Sequence, residues 1–590
     1  MAQYAYCTLQ PSNFRILILL PGDGDDIVNC LLQESSLRQP NSEYEALSYV
    51  WGDDKKPHLV LCEGKELAVT TSLWTALRRL RLPQKRRALW ADAICINQAD
   101  LGERADQVQL MRQIYDGAAR VIIWLGEETD AMRRAFPFID QFTRSVGEYL
   151  DEVPDLYTPA VKHWMMERVC AAFNSDNQIV LQHFFENPWF LRAWVFQEAV
   201  CAKSAIVHCG GLQIDFEILE FFATLLFVNR LTTILPTAES RGSHHQLYTI
   251  RNVRKLYAGG EKHTIFRLLV GSAGAGAKDP RDLLFSLAGI AAGQPLPYPP
   301  NYTQDVISWY RDFSAHALST EPGMVALEEC FLHPDRLPGL PSWARDWTGS
   351  PYFPVTGNYP KRIFDADGKK ESVQQLMFDD NTLTLHGCVV DRIARVGNER
   401  YPEIISNIDE SQEEARDQRA EVHVDMVKEG VFLAKEVTLY ASNTEALWQA
   451  LWRTLLGDQT QQQNLQNNRV DQRYEEMVAH LKPLAIGSEG DSDMTLLREN
   501  NPRRMEFNNS IQRVSFQRRF CVTHGGRLGW VPRYAQEGDA IAIIAGIGVP
   551  MALRSKMTDY EVLGSCYIHG IMDGEMADSD RLEREFLQLV

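Results

Sequence analysis

The stretch ALWADAICINQADLGERADQVQLMRQIYDGAARVIIWLG, residues 88–126, decides the fold. Its two ends are short apolar runs of the kind that form buried strands, and its middle repeats apolar residues at helical spacing. Asp100 stands where a helix N-cap is expected, with Glu103 three residues later. The alternation of strand, helix and strand predicts an α/β layer fold. The residues predicted to form the buried stripe of the helix are Val108, Met111, Ile114, Tyr115 and Ala118.

The same alternation extends over residues 44–200, which we predict to form one domain with a mostly parallel sheet and helical insertions. Before it, FRILILLPGDGDDIVNCLLQ places a turn between two apolar runs, so residues 1–43 are expected to contribute a β-hairpin. Residues 130–185 read as a helical insertion in the domain. Pro188 is expected to start the helix that runs through RAWVFQE, because proline is favoured in the first turn.

The rest of the chain divides into two further regions. Residues 201–347 are predicted to be mainly helical, with helices from about 212 onward. Residues 348–590 contain TLTLHGCVVDRIARVG and several short strand patterns after Phe520, separated by Gly and Asp turns. These strands predict a small C-terminal β-barrel in which residues 382–397 pair with strands beyond 520. A helical, low-complexity insertion is expected at about 400–510.

Composition excludes several classes of protein. The 60 basic and 78 acidic residues give a net charge of −18, which argues against a general nucleic-acid or anionic-membrane binder. No apolar run reaches the ~20 residues that a membrane-spanning helix needs, and no secretory signal is visible. The eleven cysteines are scattered without a CxxC pair, so no metal site is expected, and reduced thiols indicate the cytosol or nucleus.

The motif YEALSYVWG, residues 44–52, ends a predicted strand with Ser48 and Tyr49 and then turns at Trp51. Open α/β sheets bind ligands at the carboxyl ends of their strands, so these three side chains are candidates to line a ligand site. The alternative is that the aromatic residues only anchor the core.

Two further motifs carry carboxylates. Asp92 in LWADAICINQ follows an apolar run, where a carboxylate is costly unless it is paired or lines a cleft; the alternative is a turn carboxylate. In RAWVFQE, residues 192–198, Trp194 and Glu198 are four residues apart on one helix face. That pair suits a ring-stacking platform beside a hydrogen-bond acceptor, whereas the alternative is an exposed Arg–Glu helix end.

The three motifs, in this order, resemble the HET (heterokaryon incompatibility) domain of filamentous fungi. YEALSYVWG resembles the opening motif of that family, residues 89–126 its central block and RAWVFQE its closing motif. Near the end of the chain, GRLGWVPRYAQEGDAIAIIAGIGVPMALR resembles stretches that follow the domain in large fungal HET proteins. The resemblance implies a cytoplasmic fungal protein of allorecognition, the growth arrest and programmed cell death that follow fusion of unlike hyphae.

The HET domain is distantly similar to the TIR domain, a doubly wound α/β fold that in several branches cleaves NAD at its nicotinamide–ribose bond. This similarity implies a TIR-like fold with NAD as the substrate and no other cofactor. Glu198 and Asp92 are then the catalytic carboxylates. The residues that would line the NAD pocket are Ser48, Tyr49, Trp51 and Trp194.

Two functions remain open at this point. The first is a toxic effector with NAD glycohydrolase-like activity. The second is a non-catalytic module that forms homo-oligomers and recruits the protein partners of a death pathway. Convergence of Glu198, Asp92 and Tyr49 within a few ångströms of a pocket favours the enzyme, whereas a salt-bridged Glu198 on the surface favours the scaffold.

Overall fold

The computed structural model describes most of the chain. The described residues are 2–37, 43–53, 55–152, 173–228, 237–320, 324–349, 363–368, 376–398, 428–434, 444–459, 514–577 and 585–590, with the single positions 164, 235, 422, 425, 426, 470, 475, 479, 510 and 511. The chain forms two compact units, Met1–Asp305 and Val306–Val590. Among the helices described, none is both long and apolar enough to cross a bilayer.

The first unit is built on a sheet of nine described strands. They are β1 (Asn13–Leu19), β2 (Asn29–Ser36), β3 (Glu45–Tyr49), β4 (His58–Cys62), β5 (Lys65–Val69), β6 (Arg87–Trp90), β7 (Val121–Trp124), β8 (Ala205–Cys209) and β9 (Leu212–Asp215). Their order across the sheet is β5-β4-β2-β1-β6-β3-β7-β8-β9. The predicted hairpin is present, because β1 and β2 pair antiparallel over their whole length.

The sheet is mixed rather than mostly parallel. Strands β6, β3, β7 and β8 run parallel at its centre, while β1–β2, β4–β5 and β8–β9 are antiparallel pairs. All four residues of β7 are buried apolar residues, as the centre of a parallel sheet requires. The mostly parallel sheet was predicted for residues 44–200, where β3 pairs parallel with β6 and β7 and β4–β5 is antiparallel. The other antiparallel pairs named here lie outside that range: β1–β2 is the predicted hairpin, and β8–β9 follows Val200.

Ten described helices accompany this sheet. They are α1 (Thr71–Leu80), α2 (Asp92–Cys95), α3 (Leu101–Gly117), α4 (Asp130–Glu152), α5 (Ser175–Phe185), α6 (Ala193–Val200), α7 (Phe216–Val228), α8 (Ala238–Ala258), α9 (Ile265–Gly271) and α10 (Asp282–Ala288). The predicted helical insertion at 130–185 corresponds to α4 and α5. Of the segment between them, the structure describes only positions 164, 173 and 174.

Helix α3 begins where the sequence predicted. The Asp100 carboxylate accepts hydrogen bonds from the backbone N–H groups of Gly102 and Glu103, at 3.0 and 3.1 Å. Glu103 does not complete a capping box. It forms a bidentate pair with the buried Arg15 of β1, and this pair ties the start of α3 to the sheet.

Removing the N-cap of α3 should destabilise the first unit. Because Asp100→Ala leaves two helix N–H groups without their acceptor, we expect a loss of about 1 kcal/mol in the free energy of unfolding. Urea denaturation followed by circular dichroism measures this loss. The exposed Asp106 lies on the same helix away from the cap, so Asp106→Ala is the control. An equal effect of both substitutions would contradict the capping role.

Three predicted elements differ from the structure. The strand predicted over ALWADAICI ends at Trp90, because the Ala91 carbonyl accepts from the N–H groups of Ile94 and Cys95 and starts the helical turn α2. Leu212–Asp215, predicted to be helical, forms β9, and with β8 it extends the sheet beyond Val200.

The helix predicted from Pro188 begins only at Ala193. Two contacts keep the preceding chain out of the helix. The Asn187 side chain accepts from the Trp189 N–H at 3.0 Å, and Arg192 is extended in an isolated bridge with Gly276. The Ala193 N–H donates to the Gly276 carbonyl at 2.9 Å. The first residue of α6 is therefore hydrogen-bonded to a segment that is distant in the sequence.

The second unit contains the predicted C-terminal strands. Its described helices are α11 (Val306–Thr320), α12 (Val325–Glu328) and α13 (Thr444–Leu455). Its strands are β10 (Met377–Asp379), β11 (Thr382–Val396), β12 (Arg518–Thr523), β13 (Leu528–Pro532), β14 (Ala540–Ile544), β15 (Met551–Lys556), β16 (Asp559–Ser565), β17 (Tyr567–Ile568) and β18 (Phe586–Leu589).

The long strand β11 organises this second sheet. It pairs in succession with β18, β14 and β12; its pairing is irregular between Val389 and Asp391, opposite β14, and between Ile393 and Arg395, opposite β12. The pairing predicted between residues 382–397 and strands beyond 520 is therefore present. The sheet order is β14-β15-β16-β18-β11-β12-β13-β17, with a further β14–β11 pairing. Most of the predicted insertion at 400–510, including its low-complexity part, lies outside the described residues.

Candidate functional site

Ser48 and Tyr49 end β3 at the edge where the parallel strands β6, β3, β7 and β8 have their carboxyl ends. This is the edge at which α/β sheets bind ligands. Each of the two side chains is only 1% exposed. The chain then turns at Trp51 and Gly52, and the positive φ of Gly52, 75°, is a conformation that glycine adopts without strain.

A chain of hydrogen bonds runs from Trp189 through Ser48 to Glu198. The indole Nε1 of Trp189 donates to Ser48 Oγ at 2.9 Å, and the Ser48 hydroxyl donates to Glu198 Oε2. Asn187 holds this arrangement in place, since its side chain also donates to the Leu125 carbonyl at the end of β7. The orientation of the Ser48 hydroxyl is therefore fixed from both sides.

Glu198 lies on α6 and is 1% exposed. Its nearest cation is Arg192, whose Nη1 lies 3.9 Å from Glu198 Oε2 and also donates to the Tyr49 carbonyl. Burial disfavours the charged carboxylate and raises the pKa of Glu198 to about 7, although Arg192 and the Ser48 hydrogen bond act against this rise. Glu198 therefore exchanges its proton in the neutral range.

Asp92 is the more open of the two carboxylates, since its side chain is partly exposed. Trp51 Nε1 donates to Asp92 Oδ2 at 2.9 Å, and the Ala93 N–H donates to Oδ1 at 2.7 Å. Burial raises the pKa of Asp92, and the Arg192 charge opposes that rise. Burial, and then the charge of Asp92, raise the pKa of Tyr49 well above its ordinary value.

The structure thus brings together five of the six predicted site residues around one guanidinium. We call this group the Arg192 cluster; its members are Ser48, Tyr49, Trp51, Asp92, Trp189, Arg192 and Glu198. The cluster has a partly exposed rim, formed by Trp51 and Asp92, and a buried floor, formed by Ser48 and Glu198. The Arg192 charge acts on both carboxyl groups, because it opposes the rise that burial causes in the pKa of Glu198 and of Asp92.

Trp194, the sixth predicted residue, lies in a different cluster. It lies beside Asp282 of α10, whose pKa is raised by burial while its neighbours Tyr302 and Trp194 oppose that rise. Tyr302 donates to Asp282 Oδ1 at 2.7 Å, and the guanidinium of Arg104 lies 3.9 Å from the centre of the Tyr302 ring. The spacing of four residues does put Trp194 and Glu198 on one side of α6, but the first and last turns of this short helix meet different neighbours.

Two members of the cluster were not identified from the sequence. Arg192 was considered only as part of an exposed ion pair, yet its side chain is 19% exposed and points inward. Trp189 stands directly after Asn187-Pro188, a turn signal that could have placed it outside the helix. Among the described residues, no group of three or more His, Cys, Asp and Glu side chains is arranged to hold a metal ion.

Comparisons with known proteins confirm the resemblance drawn from the three motifs. Residues 44–198 match the family model "Heterokaryon incompatibility protein (HET)", and residues 494–590 match "Het-6 beta-barrel domain". In an alignment 675 positions long, the chain is 25% identical to heterokaryon incompatibility protein 6, OR allele, of Neurospora crassa. The alignment covers 98% of this chain and 96% of that protein. No solved structure matches the chain. The first match spans every member of the Arg192 cluster.

Proposed function

Because the chain carries a HET domain at residues 44–198 and a Het-6 β-barrel domain at residues 494–590, we propose that it acts in fungal heterokaryon incompatibility. Similarity to the Neurospora protein along 98% of the chain supports this role, since it covers both domains and the region between them. The proposed outcome is growth arrest and programmed cell death after fusion of unlike hyphae. The proposed effector step, in the cytoplasm, is cleavage of NAD by a TIR-like HET domain.

The observation that carries the enzymatic proposal is the burial of the Glu198 carboxyl group and its raised pKa. Its carboxyl group is buried, is held by the Ser48 hydroxyl and has a pKa raised to about 7 by burial. A carboxylate in such a site interacts strongly with positive charge, because little water screens the interaction. Perturbed carboxyl groups at the carboxyl edge of an α/β sheet are typical of functional sites.

In the proposed reaction, the bond between the nicotinamide nitrogen and ribose C1′ breaks, and its electron pair leaves with nicotinamide. A water oxygen then bonds to C1′, and one proton is released, so NAD and water give ADP-ribose, nicotinamide and H⁺. Positive charge accumulates on the ribose in the transition state. Ionised Glu198 would stabilise that charge, and Asp92 would accept hydrogen bonds from the ribose hydroxyls.

The remaining members of the Arg192 cluster have supporting roles in this proposal. Trp51, held through its indole N–H by Asp92, offers a partly exposed ring on which a flat nicotinamide can stack. Trp189 is a positioning residue, because it touches Ser48 rather than the reacting atoms. Arg192 keeps Glu198 and Asp92 in one electrostatic environment and limits the rise of both pKa values.

A second candidate function rests on the burial of Glu198. At 1% exposure, its carboxyl group with Ser48, Trp189 and Arg192 also has the form of a polar network that fixes a unique core. In that case the HET domain would be a non-catalytic module. It would form homo-oligomers and recruit protein partners of the incompatibility pathway, and NAD would not be consumed.

We expect the purified full chain to release nicotinamide from NAD, with a rate that rises between pH 6 and 8. The rise follows from the pKa of Glu198, about 7: the carboxyl group is neutral below this pH and ionised above it, and only the ionised form stabilises the positive ribose. The rate should therefore fall about tenfold per pH unit on the acid side. Chromatographic detection of nicotinamide measures it.

The two candidate functions differ in this assay when it is paired with expression in fungal cells. Growth arrest together with nicotinamide release supports the enzyme. Growth arrest without any nicotinamide release from the purified chain, at any pH between 6 and 8, would contradict the enzyme and favour the scaffold module.

A further inference from the structure

A cavity lies in the first unit, apart from the Arg192 cluster. It has a volume of about 770 Å³ and is lined by α7, α8 and the segment Val200–Lys203, which begins at the last residue of α6. Cavities that bind small molecules have volumes of ~300–1,000 Å³, so its size suits a ligand rather than a single water.

The walls of this cavity carry four cationic side chains. Arg251 and Lys255 stand four residues apart on α8 and therefore on one face of the helix, and Lys203 and Arg254 complete the set. Arg254 is already engaged, because it pairs with Glu220 at 3.0 Å and donates to the Ala202 carbonyl. Neither Lys203 nor Lys255 forms an ion pair with a described residue.

The face formed by Arg251 and Lys255 is electrostatically suited to an anion. The charge of Arg251 is the main cause that lowers the pKa of Lys255, because two neighbouring cations repel each other. The Arg251 guanidinium lies 4.9 Å from the centre of the Phe221 ring, which holds it in place at the cavity wall. A bound phosphate would relieve the repulsion between these two side chains.

The cavity also offers acceptors for hydroxyl groups. Glu220 is 5% exposed, and its Oε1 receives no hydrogen bond from a described residue, although Oε2 binds Arg254. Buried polar atoms rarely remain without a partner. Two further carboxylates, Asp116 and Glu217, line the same space. A ligand that fits must therefore bring hydrogen-bond donors as well as negative charge.

We propose that this cavity binds a small sugar phosphate, with its phosphate at Arg251 and Lys255 and a hydroxyl group donating to Glu220. Lys203, which also lines the cavity, adds a further cation for the phosphate. The site shares no residue with the Arg192 cluster.

Calorimetric titration of the full chain with ribose 5-phosphate, inorganic phosphate and ribose tests the proposal. We expect ribose 5-phosphate to bind at least about tenfold more tightly than inorganic phosphate, because only it also satisfies Glu220, and ribose alone to bind negligibly. The double variant Lys203→Gln/Lys255→Gln should weaken ribose 5-phosphate binding by at least about tenfold, since it removes two charge-assisted contacts.

The matched control is Lys65→Gln/Lys85→Gln, which removes the same charge at two exposed positions of the first unit. Its affinity for ribose 5-phosphate should equal that of the parent chain. The proposal is overturned if ribose 5-phosphate does not bind or binds no better than phosphate. It is also overturned if the control weakens binding as much as the cavity variant.

Discussion

Glu198→Gln is expected to slow NAD cleavage by about 10²–10³-fold, the usual scale for removing one preorganised electrostatic group. Glutamine keeps the size of the side chain and can still accept the Ser48 hydrogen bond. It removes the negative charge that would stabilise the ribose in the transition state. Because the hydrogen bonds from Trp189 to Ser48 and from Ser48 to residue 198 survive, the variant should fold, and the loss should appear in kcat rather than in the amount of soluble protein.

The control for this loss is Glu127→Gln. Glu127 is an exposed carboxylate that pairs with Arg79 at the surface, so its removal should leave the rate within a factor of two and the stability nearly unchanged. Nicotinamide release and growth arrest are scored for the parent chain and both variants. If Glu198→Gln arrests growth as strongly as the parent while none of the three proteins consumes NAD, the scaffold function stands.

Glu198→Gln should also stabilise the first unit above pH 7. The pKa of Glu198 is raised from 4.5 to about 7 in the folded chain, so the folded state binds the proton more tightly than the unfolded state. The contribution of this protonation to the free energy of unfolding is fully present below pH 4.5. It is lost as pH rises through 7, and the loss amounts to about 3 kcal/mol. Glutamine is never ionised, so Glu198→Gln should exceed the parent by up to about this amount at pH 8.

Chemical denaturation at pH 5 and pH 8 measures this effect as the difference between variant and parent. The difference is the useful quantity, because Glu329 in the second unit also has a pKa raised to about 7 by burial, and it contributes equally to both proteins. A variant that is less stable than the parent at pH 8 would mean that Arg192 and Ser48 compensate the burial of the charge. In that case the pKa of Glu198 would not lie near neutrality.

Local signals predicted the parts of the fold that depend on neighbours in the chain. The apolar run of β7, the Asp100 cap of α3 and the turn between β1 and β2 all lie within a few residues of the signal that indicates them. The gathering of Ser48 and Asp92 could also be predicted. Ser48 lies at the end of β3 and Asp92 follows β6, and the carboxyl ends of such parallel strands share one edge.

The remaining features depend on contacts between distant parts of the chain. Arg192 is extended because it pairs with Gly276, 84 positions away, and no local pattern encodes that contact. Trp194 was assigned to the NAD pocket because its spacing from Glu198 is helical. Its actual partner, Asp282, lies on a helix whose packing against α6 is a tertiary event. Periodicity identifies the face of a helix but not what covers it.

Helix α6 has only eight residues, and its last turn serves two sites at once. Glu198 faces Ser48, and the segment that begins two residues later, at Val200, lines the sugar-phosphate cavity. Thermodynamic linkage then imposes a reciprocal rule. If filling the cavity displaces α6, the proton affinity of Glu198 changes by the same free energy as the ligand affinity changes with pH. A ligand that binds equally at pH 6 and pH 8 would show instead that this short helix insulates one site from the other.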